Sequence, residues 1–273
     1  MAALPPADQH QLSRKPSPLT QLARGPSGAV SGLKARDKAL RLHGTIARKL
    51  GISIVSGRLK PGALLNNEIA ASEQLAVSRT PYREAVRILA AKGLVDARPK
   101  VGTRITAQSQ WNLLDPDVLD WMFESEPDLK LLTSLFELRN VVESAAAGMA
   151  AQRRSAAHLK AMRAALDGMA VHTLSTEAGQ QADLDFHTAL LDATNNPFFI
   201  SLTNGVNAAI RTTTIFKQRT RPLRRDAIPD HERVFDAIAA RQAAKAQRAM
   251  SELIELARLD TPVSKRPARN PAG

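Results

Sequence analysis

Apolar residues in this chain recur mostly at helical spacing. Leu42, Ile46, Leu50 and Ile54 fall every four residues and so share one face of a helix. That helix is expected to stop at Gly57, ahead of a tight turn at Leu59-Lys60-Pro61-Gly62. Residues 66–75 predict a short helix carrying Ile69 and Leu75, followed by a brief turn at Ala76-Val77. Ser78-Arg79-Thr80-Pro81 then opens another helix. Ser78 is placed to cap it, and Pro81 lies in the first turn, where a missing N–H costs nothing. Ala85, Val86, Leu89 and Ala90 carry this helix on towards Gly93. Residues 94–97 and 104–106 are short runs of strand character flanking Arg98-Pro99-Lys100-Val101-Gly102, which predicts a hairpin with Pro and Gly at its tip. Helix, short helix, turn, helix and basic hairpin is the order of a winged helix-turn-helix.

The second half follows a different plan. Residues 108–128 hold Trp111, Leu113, Leu114, Val118, Leu119, Trp121, Met122 and Phe123, too apolar for a flexible linker. A short helical connector, packed on one or both flanking domains, is expected there. From 129 to 259 only helical patterns occur, with expected spans of 129–151, 155–171, 175–193, 197–218 and 229–259. The last is expected to break once, near Arg241 or Gln242. Asn195-Asn196-Pro197 and the charged stretch 219–225 supply other breaks. Residues 1–33, rich in Pro, Ser, Gly and Gln, read as a disordered basic tail, and 261–273 as a frayed tail. The expected fold is mainly α. It comprises an N-terminal winged helix-turn-helix at 34–107, the connector at 108–128, and a C-terminal all-α antiparallel helical bundle at 129–260.

Composition supports this plan, and charge gives it a direction. Aromatic residues are only 4% of the 273, and cysteine is absent, which excludes disulfides and thiolate chemistry. The prolines at 5, 6, 16, 18 and 26 interrupt any signal-peptide pattern, and no segment approaches the roughly 20 apolar residues of a membrane span. A soluble, cytoplasmic protein with no membrane partner is expected. The net charge of +12 is unevenly distributed: residues 1–33 carry +2, residues 34–107 carry +10, and residues 108–273 carry zero. An excess confined to one module of this size points to a polyanion partner, double-stranded DNA.

The run SRTPYREAVR gives that module its candidate contacts. Arg79 and Arg83, four apart, share a face that Arg87 continues. Arginine pairs with guanine through two hydrogen bonds, so Arg79 and Arg83 are the expected base readers. Ser78 and Thr80 offer hydroxyls at the helix start, where phosphate is favoured, and Tyr82 is counted with the same contact set. Lys100 and Arg104 in the hairpin suit the DNA backbone or minor groove.

Three features of the helical half carry chemistry. Asp183 and His187, four apart, project from one helix face as a workable pair of ligands for a divalent metal. A surface hydrogen bond is the plainer reading of such a pair. His231, at the start of another helix, could complete a three-ligand site. Arg139 lies in an otherwise apolar helix beside Leu135, Leu138, Val142 and Ala146, and a buried guanidinium requires an anionic partner. Glu143, four residues on, is the internal candidate; an effector carboxylate is the other. Arg211 is a second candidate anion clamp. No nucleophile or general base accompanies these groups, so no enzymatic activity is expected.

The residues also carry a family resemblance. LAVSRTPYREAVRILAAKGLVDARPKVGTRIT (75–106) resembles the DNA-binding domain of GntR-type regulators, with the VSRTPxREA core and the GLV…G wing in place. One departure is that Asn66-Asn67-Glu68-Ile69 lacks the basic residue common on the first helix of that motif. Beyond residue 128 the chain resembles the FadR-like branch of the family, whose ligand-binding domain is called FCD. The stretches FELRNVVESAAAGMAA (136–151), ADLDFHTALLDATNNP (182–197), 204–216 and DHERVFDAIAA (230–240) carry this likeness. It implies a homodimeric regulator with Asp183, His187 and His231 holding a divalent metal, zinc or nickel. Leu253 stands where many relatives place a further histidine. It also implies that Arg139 meets the carboxylate of a small effector. QWNLLDPDVLDWM (110–122) and ELRNVVESA (137–145) are similar to members governing sugar-acid catabolism. That implies a repressor released by galactonate or a related aldonate, with lactate-like or acyl effectors as alternatives.

Overall fold

The computed structural model describes residues 42–65, 79–98, 101–124, 127, 129–220 and 225–261. The expected tails, the short helix at 66–75, Ser78, Lys100 and part of the 219–225 break lie outside the described residues. The chain divides into two compact units, residues 1–111 and 112–273.

In the first unit, helix α1 (Leu42–Val55) packs against α2 (Arg79–Ala91). Ile46, Leu50 and Ile54 of α1 meet Tyr82, Ala85 and Leu89 of α2 in one buried core. Leu94, Val95 and Ile105 extend that core into the hairpin. The polypeptide leaves α2 through Gly93 at φ 74°, where a Cβ would lie 2.1 Å from the Gln110 carbonyl oxygen. Only glycine fits that left-handed, crowded position. Strands β1 (Val95–Arg98) and β2 (Gly102–Ile105) pair antiparallel, Val95 opposite Ile105 and Arg98 opposite Gly102. Pairing therefore reaches closer to the tip than the 94–97 and 104–106 expectation, because Gly102, at φ 95°, closes the ladder itself. Residues 62–65 run along the other side of β2: Leu65 N–H donates to Thr103 O, and Ile105 N–H to Ala63 O.

The second unit is helical throughout. Asp115 caps the short α3 (Pro116–Met122) by accepting from the Asp117 and Val118 amides, with Pro116 in the first turn. This helix lies within the apolar stretch 108–128 and packs on the later helix that spans Thr203–Thr220. Helix α4 (Leu129–Arg153) runs through the bundle and packs most extensively on the last helix. Its Ala146, Ala147, Ala150 and Ala151 are fully buried, a smooth face that admits the last helix at short range. Helices α5 (Ala156–His172) and α6 (Glu177–Asp192) form a packed hairpin. Ser155 caps α5 in a reciprocal box in which His158 Nδ1 accepts from the Ser155 amide. His158 thereby has a structural partner.

The span expected at 197–218 is interrupted at Leu202 into α7 (Pro197–Ser201) and α8 (Thr203–Thr220). Helices α9 (Ile228–Ala239) and α10 (Ala243–Leu259) replace the long last span, with the break at 240–242 where expected. Arg241 takes φ 58° there, the left-handed turn that reverses the chain. Among the described residues no helix is long and apolar enough to cross a membrane.

Candidate functional site

Helix α2 presents its basic face to solvent. Apolar positions 82, 85, 86 and 89 turn inward, which leaves Arg79, Thr80, Arg83 and Arg87 exposed on the other side. Arg87 Nη1 pairs with Glu84 Oε1 at 2.7 Å. Arg104 on β2 is exposed too and donates from Nη1 to the Gly62 carbonyl at 2.6 Å, a contact that braces the hairpin. Tyr82 departs from the expected contact set. Only 2% exposed, it belongs to the core between α1 and α2, because it shares the helix face of Val86 and Leu89.

In the second unit, α4, α6, α8, α9 and α10 converge on a pocket of about 680 Å³ including its mouth. Asp183 and His187 of α6 and His231 of α9 bring one ligand atom each within 4.8 Å of the others, all buried. His231 Nε2 lies 3.0 Å and His187 Nε2 3.7 Å from Asp183 Oδ1. Phe186, fully buried, meets both imidazoles edge-on and walls the cluster from behind.

The neighbour on the far side of each ring sets its tautomer. His231 Nδ1 is 2.8 Å from the Ala227 carbonyl, which can only accept, so the proton is on Nδ1 and a neutral ring leaves Nε2 as a bare lone pair. That buried nitrogen has no hydrogen-bond partner and faces a carboxylate oxygen. His187 Nδ1 stands 2.6 Å from Glu143 Oε2, off the line of a good hydrogen bond but too close for two lone pairs. Its Nε2 is thereby also turned towards Asp183. Two nitrogen acceptors and one oxygen acceptor aimed at a common point make a donor set that fits a divalent cation, with Ala227 and Glu143 orienting the rings.

Arg139 makes the internal one of its two candidate contacts. Its Nε donates to Glu143 Oε1 at 2.8 Å, and the two side chains are 5% and 0% exposed. Arg139 also lines the pocket, so the same guanidinium faces both. Burial pushes the Glu143 carboxyl up, but Arg139 and His187 beside it prevail and hold it at about 2. Burial likewise raises Asp183; His231 and His187, where they carry a second proton, and Arg139 overcome it, again to about 2. Both groups therefore contribute stability that is full above their ordinary values of 4.5 and 3.8 and is lost as the pH falls through about 2.

Arg211 does not join this site. Residues 210, 214 and 217 form the α8 face that lines the pocket, and Arg211, one step round the helix from Ile210, is exposed. The α8 cation in the pocket is Lys217. Burial and the charge of Arg139 lower its ammonium to about 8, while Asp183 and Asp260 pull the other way. Thr214, Arg225 and Asp260 also line the cavity. Arg225 contacts Asp230 and Asp260, and Asp230 contacts Arg233 as well. The i, i+4, i+7 spacing of Ile210, Thr214 and Lys217 was the signal available in sequence. Leu253 is buried on α10 and lines the same pocket.

Comparison with known proteins agrees with both units. Residues 42–105 match the model described as bacterial regulatory proteins, gntR family, and residues 134–256 match the FCD domain. The galactonate operon transcriptional repressor of Escherichia coli (strain K12) is 32% identical over 209 residues, 75% of this chain and 90% of its own. HTH-type transcriptional regulator LutR of Bacillus subtilis (strain 168) is 32% identical over 204 residues, 72% of this chain and 90% of its own. A solved structure described as Lar, which controls expression of the Listeria monocytogenes agr system, aligns with a TM-score of 0.55 over 81% of this chain and 97% of that one. At 16% identity it shows the shared fold alone. A winged helix-turn-helix with an exposed arginine row, followed by a helical bundle around a polar pocket, is thus matched domain by domain. The chain belongs to the GntR family of bacterial transcriptional regulators, with an FCD domain as its second unit.

Proposed function

We propose that the protein is a homodimeric repressor of a sugar-acid catabolic operon, released from its operator by a small carboxylate such as galactonate or a related aldonate. The observation that carries this reading is the meeting of Asp183, His187, His231 and Arg139 in one pocket. The similar galactonate operon repressor supports the effector class. In this reading Arg79 and Arg83 read bases. Ser78, Thr80, Arg87, Lys100 and Arg104 hold the backbone on either side. Two-fold pairing of the chains sets two such helices on a palindromic site.

Asp183, His187 and His231 would hold the metal, zinc or nickel, which when bound supplies a Lewis-acidic charge for an effector oxygen. Leu253 contributes no donor, so the protein offers three ligands. Ala227 and Glu143 hold the two imidazoles with Nε2 forward, and Phe186 keeps water from their backs. Arg139, steadied through Nε by Glu143, keeps its terminal nitrogens for the effector carboxylate. An effector that binds the low-affinity arrangement of the dimer more tightly shifts the population away from DNA by that difference. The charged lining favours a small polar acid over a long acyl chain, whose tail would strip those charges of water.

Elemental analysis of the purified protein is expected to find near-stoichiometric divalent metal, and His187→Ala and His231→Ala are each expected to lose it. Wild-type protein that carries no metal yet responds fully to the acid would contradict the assignment.

A further inference from the structure

Exposure increases from one end of the pocket to the other. The Arg139, Glu143, Asp183, His187 and His231 side chains are at most 8% exposed, whereas Arg225 and Asp260 are 26% and 31% exposed. The cluster is therefore the floor, and the Arg225–Asp260 pair stands nearer the mouth. Lys217 lines the same pocket as Arg139 and Asp183 of the floor and as Arg225 and Asp260 above. Thr214 lies one turn before it on the same face of α8.

A carboxylate seated on the floor would place the rest of its molecule alongside these upper groups. They comprise an ammonium, a guanidinium and a carboxylate, with the buried Thr214 hydroxyl one helical turn away, that is, donors and acceptors at close range. An alkyl tail there would displace their water and return nothing, whereas a hydroxyl can donate to Asp260 and accept from Lys217. We propose that Lys217, with Thr214, is a specificity-determining contact for the hydroxyl groups of the effector beyond its α-carbon, which makes the ligand a polyhydroxy acid. This rests on the proposed reading of the floor as the carboxylate site, and it adds a residue and a chemical demand to that reading. The demand follows from the mixed signs of the upper wall: an apolar acid meets only one half of the pocket.

The test uses two six-carbon acids that share a carboxylate and an α-hydroxyl, D-galactonate and 2-hydroxyhexanoate, titrated calorimetrically into metal-loaded full-length protein. In Lys217→Met, galactonate affinity is expected to fall at least tenfold, while 2-hydroxyhexanoate affinity stays within twofold of wild type. Lys217→Arg, which keeps a donor and a charge, is expected to restore part of the loss; it serves also if the methionine variant does not fold. Equal weakening of both acids would place Lys217 on the carboxylate, and no weakening of either would remove it from the ligand; both results overturn the proposal. Failure of the wild type to bind either acid would overturn the carboxylate reading itself, and a selective loss cannot then arise.

Discussion

Alanine at Arg79 or Arg83 is expected to weaken specific operator binding by about tenfold to a hundredfold each, the worth of a bidentate arginine–base pair. The expectation follows from position. Both side chains are exposed at the start of α2, while the opposite face of that helix is locked in the core by Ala85, Val86 and Leu89. Truncating either arginine removes no buried contact, so the fold should be unaffected. Fluorescence anisotropy at fixed salt, on a DNA site selected by the protein from a random pool, measures the change. Binding to unrelated DNA should fall far less, because it depends on phosphate contacts spread over the module. Unchanged affinity for the selected site in both variants would mean that another element reads the bases.

The largest expected effect on stability lies at Glu143. Its carboxylate is the partner of the Arg139 guanidinium at 2.8 Å and stands 2.6 Å from His187, with no exposure to solvent. Removing one member of such a pair leaves a buried charge uncompensated, so Glu143→Ala is expected to cost about 3–5 kcal/mol. For a domain of this size that lowers Tm by on the order of 10 °C, measurable by calorimetry. A double variant, Arg139→Leu with Glu143→Leu, should recover much of the loss, since neither member of that pair is then buried without the other. A Glu143→Ala protein as stable as wild type would show that Arg139 finds another anion without it.

Much of this architecture is written in the hydrophobic pattern. The spans of α4, α5 and α6 follow from apolar spacing, and the 240–242 break from an interruption in that spacing, because these helices bury one defined face. Features that depend on tertiary partners were less legible. Leu202 interrupts a stretch whose apolar pattern runs through it. His158 becomes half of a capping box only because Ser155 is in range of its Nδ1. Tyr82 looks like a contact residue in a basic run, yet its helix phase assigns it to the core.

The pocket shows the same division. Asp183 and His187 are found by spacing because one helix carries both, whereas His231, at the start of another helix, could be offered only as a possible third ligand. Lys217 and Arg211 are six residues apart, and nothing short of the helix phase tells which one faces inward. Arg225 and Asp260 lie on separate segments and meet only in the folded chain.

The coupling between pocket and DNA is tested most directly by adding D-galactonate to the metal-loaded protein bound to its selected DNA site while following anisotropy. Release of DNA from the wild type, with His187→Ala remaining bound over the same concentrations, is the predicted result. Wild-type protein that holds its DNA through galactonate, gluconate and lactate alike, or a His187→Ala variant released as readily as wild type, would contradict it.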